Sequence, residues 1–101
     1  MIKLGIGEGQ YERDELLCPK CEGEWMHQGL VEVFDRGEDE SGSHIHTSAG
    51  TGSISVDRDM SKNPSLRRQG IRIHFKCEMG CNSVLDIVQH KGFTLVSWED
   101  E

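Results

Sequence analysis

The chain carries its four cysteines in two close pairs, Cys18-Pro19-Lys20-Cys21 and Cys77-Glu78-Met79-Gly80-Cys81. Thiolates are soft, charged ligands, and two such pairs supply the four corners of the tetrahedron that zinc prefers. The first pair has the two-residue gap of a metal-binding knuckle. Pro19 pre-sets its turn, and Gly23 is available for the left-handed conformation that often follows. The second pair has a three-residue gap, one longer than usual, with Gly80 and Asn82 able to take positive φ. Four cysteines close the coordination shell and leave no position for water, so the expected cofactor is one structural Zn2+. The competing readings are buried core cysteines or a redox pair. A thioredoxin-like use of Cys18 and Cys21 needs a βαβ pattern, which the sequence lacks.

Other polar residues invite chemistry more weakly. His27, six residues after Cys21, could replace a cysteine, but four thiols already suffice and it reads as an exposed neighbour. His44 and His46, two apart, would share a face on a strand and could share a second metal. A pair without a third ligand reads as a loop feature. Arg67, Arg68, Arg72, His74 and Lys76 form a candidate binding face for phosphate or acidic groups. Without interleaved aromatics, the stripe also fits a solvated strand face balancing nearby carboxylates. Acidic residues cluster at Glu12–Glu15, Glu38–Glu40 and Glu99–Glu101, in loops and at the end of the chain, where they are expected to titrate normally. Trp25 and Trp98 are expected in the core or against the metal site. No nucleophile–base arrangement or phosphate-binding glycine loop appears, so no catalytic residue is assigned and no enzyme is expected.

The elements that must position the cysteines read as strands. Gly70–Cys77 alternates strictly, with Ile71, Ile73, Phe75 and Cys77 on one face and Arg72, His74 and Lys76 on the other. Trp25–Asp35 is rich in β-formers, and Val84–Gln89 is a further apolar strand. Lys91-Gly92 looks like a two-residue hairpin turn, with Gly92 supplying positive φ and Phe93–Trp98 running back. Residues 37–53 are loop-like by composition, with a weak hairpin pairing His44–Thr47 with Ser53–Val56. No window shows an apolar stripe of helical period. The fold expected is mostly β, a small antiparallel β domain spanning residues 1–101 as a single unit. The 55 residues between Cys21 and Cys77 form a long insertion between the two knuckles.

With 101 residues and only 35% hydrophobic side chains, the chain builds a thin core that a metal staple would help. Its formal net charge of −7 becomes about −9 with four thiolates and one zinc bound, which disfavours nucleic acid at long range. The start of the chain has no continuous apolar run, and no stretch approaches a membrane span. The expectation is a cytoplasmic protein with reduced thiols and no membrane association.

The paired knuckles resemble those of zinc-ribbon proteins, which sit at the tips of β-hairpins. Val31–Asp39, Asn63–Arg68 and Gln89–Gly92 further resemble segments of small, largely uncharacterised zinc-ribbon proteins of bacteriophages and mobile elements. That family implies no established activity. The function expected is a non-catalytic zinc-binding module working through protein contacts. The alternatives are an acidic inhibitor of a host nucleic-acid-binding machine, or nucleic-acid binding through Arg67, Arg68 and Arg72.

Overall fold

Strict alternation along Gly70–Cys77 can satisfy two different environments only if the strand lies inside a sheet with unlike faces. In the computed structural model, which describes residues 2–6 and 13–99, that strand is the centre of such a sheet. In chain order the strands are β1 (Leu4–Gly5), β2 (Glu15–Leu16), β3 (Met26–Asp35) and β4 (Ser43–Thr47). They continue with β5 (Ile54–Asp57), β6 (Gly70–Cys77), β7 (Asn82–His90) and β8 (Phe93–Trp98). β1 and β2 pair with each other, while the other six form one antiparallel sheet in the order β5-β4-β3-β6-β7-β8. No helix forms among the described residues, and so none is long and apolar enough to cross a membrane. The mostly β, antiparallel fold expected from the sequence is the fold observed, and β3 to β6 are built from the segment between the cysteine pairs.

Register sorts the side chains into rows that run across all six strands. Val56, Ile45, Val33, Ile71, Ile87 and Val96 face one another in sequence from edge to edge, giving a continuous apolar row on one face. One residue along, Ser55, His46, Glu32, Arg72, Asp86 and Ser97 form the matching row on the other face. A slip of one residue anywhere would exchange these rows, so the patterning fixes the pairing.

Near the cysteine end, Phe75, Leu85 and Trp98 form a small core on the apolar face, with Ile2, Leu16, Met26 and Ile73 packed against it. Trp98 meets Phe75 edge to face at 5.9 Å. On the opposite face Phe34 is fully buried and stacks on His44 at 4.3 Å. The connection between β5 and β6 closes down at Gly70, where a Cβ would lie 2.9 Å from Pro64 Cδ and closer still to Asn63 Oδ1. Ser65 ties this connection to β7 by donating to the Gln89 carbonyl at 3.1 Å.

Several local expectations change. The weak hairpin is a regular pair of strands, but β5 runs from Ile54 to Asp57, one residue later than expected, because that register sets Val56 against Ile45 and Asp57 against His44. The left-handed dihedrals beside the first knuckle and in the β7–β8 turn fall on Glu22 (φ 61°) and Lys91 (φ 53°), not on Gly23 and Gly92. Trp25 is 63% exposed and stands outside the core. Its carbonyl instead accepts the Glu78 N–H at 3.1 Å, joining the second knuckle to the start of β3. The β1–β2 pair was not expected. Of the three acidic clusters, Glu12, Asp100 and Glu101 lie outside the described residues.

Candidate metal centre

Each cysteine pair is held by a tight turn. In the first, Glu22 N–H donates to Cys18 O at 2.8 Å and Cys18 N–H to Gly23 O at 2.9 Å. In the second, which links β6 to β7, Gly80 N–H donates to Cys77 O at 2.9 Å and Cys77 N–H to Cys81 O at 3.0 Å. Gly80 takes φ 92°, a dihedral that absorbs the extra residue of the longer gap. The β3–β6 register sets Met26 opposite Cys77, and this brings the turn before β3 onto the end of β6.

All four Sγ atoms then lie within 4.8 Å of one another. Cys21 Sγ and Cys77 Sγ are 3.7 Å apart. Zn–S bonds of about 2.3 Å in a tetrahedron put neighbouring sulfurs ~3.8 Å apart, so the donor set fits a tetrahedral ion of that size. Cys18 and Cys77 are buried, Cys81 is half-buried and Cys21 faces solvent.

The charge on this cluster is uneven. Burial pushes the Cys77 thiol up, but the Cys81 backbone N–H, 3.3 Å from its sulfur, and the neighbouring thiols outweigh that and bring it down to about 7. Hydrogen bonding to Cys77, followed by burial, pushes Cys81 up to about 12. At Cys21 the Gly23 N–H acts downward, yet burial and the Cys18 and Cys77 thiols together raise it. One sulfur is therefore poised to ionise while Cys21 and Cys81 resist, and a bound cation would favour the thiolate form across the cluster.

The other candidate residues divide between two places. Arg72, His74 and Lys76 share the polar face of β6, while Arg67 and Arg68 lie in the β5–β6 connection. Arg67 pairs with Asp39 and Glu38, and Arg68 reaches Glu38 at 2.9 Å. Arg67 holds the Asp39 carboxyl below the usual carboxylate range, unlike the ordinary titration expected of that acidic cluster. Arg72 donates to Glu32 at 2.7 Å and to Glu99 at 2.6 Å. His74 Nε2 lies 3.0 Å from Glu32 Oε2. His27 is exposed and lies 3.4 Å from Glu78, as an exposed polar neighbour of the knuckles should.

Glu32 is a residue whose role the sequence did not signal, as is Asp57 opposite His44. Glu32 is buried at 6% exposure and gathers Arg72, His74 and His44 around one carboxylate. Its position between Val31 and Val33 on a strand carries no local signal of burial.

Fold and site together define a small antiparallel β domain with a closed four-cysteine centre. The chain matches no protein-family model, no curated protein and no solved structure.

Proposed function

We propose that this protein is a non-catalytic interaction module, a β domain stapled by one structural zinc at Cys18, Cys21, Cys77 and Cys81, that binds a protein partner. Zinc is supported by the all-thiolate donor set and by a sulfur separation matching its tetrahedron. The absence of an open ligand position supports a structural rather than a catalytic role.

The observation that carries the binding role is the apolar row. Val56 is 63% exposed and Val96 48%, and Ile54 beside Val56 is 67% exposed. Ile45, Val33, Ile71 and Ile87 between them are only half-buried. Contiguous apolar surface of this kind is characteristic of interaction sites. With a net charge of −7, the complementary partner is a protein with an apolar patch rimmed by basic groups. Nucleic acid is less well supported, because Arg67, Arg68 and Arg72 are each already paired with carboxylates. The resemblance to phage and mobile-element proteins extends the proposal to a small element-encoded adaptor or inhibitor.

The test is capture from extract of the native host with immobilised protein. A Val56→Glu/Val96→Glu variant, shown to be folded by circular dichroism, should lose the captured protein, whereas Arg67→Ala/Arg68→Ala should keep it. The opposite pattern, with release by modest salt, would refute apolar docking in favour of charge mimicry.

A further inference from the structure

The pair His44 and His46 gains in the fold what it lacks in the sequence. They point the same way from β4, and β5 brings Asp57 opposite His44 and diagonal to His46. His44 Nδ1 is 3.0 Å from Asp57 Oδ1, and His46 Nε2 is 3.3 Å from Asp57 Oδ2. One ligand atom from each of the three side chains lies within 4.8 Å of the other two. Bonds of about 2.0–2.1 Å to a tetrahedral ion would set neighbouring N and O ligands ~3.3–3.4 Å apart, close to the two separations observed.

From this geometry we infer that His44, His46 and Asp57 form a second metal site, separate from the cysteines, for a first-row divalent ion of the Zn2+ class. Two imidazoles and one carboxylate are a borderline donor set that suits such ions over Mg2+ or Ca2+. Three protein ligands leave the remaining coordination to water, and the half-exposed His46 and exposed Asp57 let solvent reach it.

The surroundings are arranged for it. The His44 ring is held between Phe34 at 4.3 Å and His46 at 4.7 Å. Its other nitrogen, Nε2, lies 3.3 Å from Glu32 Oε1, and Glu32 is itself fixed by Arg72 and His74. The buried Glu32 carboxylate can accept the proton of the Nε2–H tautomer, in which the Nδ1 lone pair faces Asp57, the usual support for a metal-bound imidazole. Asp57 is oriented from the other side, because Oδ1 accepts the Asp59 N–H at 2.9 Å. A lone pair on Nδ1 facing a carboxylate oxygen at 3.0 Å needs a cation between them. A proton can fill that role by making His44 an imidazolium; a metal ion fills it and engages His46 as well, releasing any proton on the two facing nitrogens to solvent.

The experiment uses the full chain purified with its cysteine site filled, dialysed against Zn2+ or Co2+ alone. Wild type should bind one more equivalent than either His46→Ala or Asp57→Ala, both at half-exposed or exposed positions on the outer strands. His27→Ala should bind as wild type does. With Co2+ the extra equivalent should add no thiolate-to-metal charge-transfer band, so failure at the cysteines and failure here remain distinguishable. In spectra of 15N-labelled histidine, Zn2+ should move His44 Nδ1 and His46 Nε2. Equal stoichiometry in wild type and Asp57→Ala, or loss of the extra equivalent in His27→Ala, would overturn the site.

Discussion

Glu32 and Arg72 stand opposite each other on β3 and β6, with Arg72 Nη1 donating to Glu32 Oε2 at 2.7 Å and both side chains largely withdrawn from solvent, at 8% and 13% exposure. This ion pair lies at the middle of the polar row, and Arg72 extends it to Glu99 while His74 and His44 close it around Glu32. The middle of the polar face is therefore an internal charge network, while Ser55, Lys76 and Ser97 on the same face stay exposed to solvent. Removing one member of a buried pair strands the other without its partner, which costs about 3–5 kcal/mol. Glu32→Gln should lower unfolding stability by about 3 kcal/mol in urea denaturation, with the slope of the transition unchanged. A loss below about 1 kcal/mol would mean that the pair behaves as a surface salt bridge.

Two carboxylates of this network should drive stability with pH in opposite directions. Burial pushes Glu32 up, but His74 and Arg72 prevail and hold it below its ordinary value. Its contribution is present above the unfolded pKa and is lost as pH falls through the folded one. Asp86, opposite Arg72, behaves the other way: burial first, then the neighbouring Glu99, push it up to about 7. Between about pH 4 and 7 the folded protein thus holds a proton on Asp86 that the unfolded chain has lost, and stability falls as pH rises across that window. Asp86→Asn imitates the protonated form and keeps a donor toward Glu99. The variant's melting temperature should exceed that of wild type by more at pH 8 than at pH 5. An equal difference at the two values would show that Asp86 does not carry the proton.

How much of this was legible in the chain follows from the range of the interactions. The alternation in Gly70–Cys77 and the two cysteine pairs are local signals, and both led to what the fold contains. Glu32 was not legible, since its burial comes from residues 12, 40 and 42 positions away that meet it only once the sheet is paired. Asp57 was missed as a partner of His44 for the same reason: the contact spans 13 residues and depends on a register that shifts by one from the expected hairpin. The β1–β2 pair is two residues per strand, too short for any alternation to register. Trp25 misled because a large aromatic beside a knuckle suggests packing, whereas here its backbone, not its ring, does the joining.

The cysteine centre ties the turn before β3 to the β6–β7 connection, and its loss should be felt across the whole sheet. Among the described residues the buried apolar side chains are few: Phe34, Phe75, Leu85, Trp98 and two of the cysteines themselves. A structural zinc site contributes on the order of 10–16 kcal/mol to the folded state, as much as the roughly 5–15 kcal/mol net stability of a typical domain. On the proposed reading, Cys77→Ser or exhaustive chelation should therefore leave the chain largely unfolded at 25 °C, seen as collapse of amide dispersion in a 15N–1H spectrum. Refolding on return of one equivalent of Zn2+ should occur for the chelated wild type and fail for Cys77→Ser. His46→Ala, at a half-exposed position on β4 that takes no part in the cysteine cluster, should keep its dispersion throughout. A chelated wild type that retains native dispersion would show that the thiols are core residues and that the fold stands without a metal.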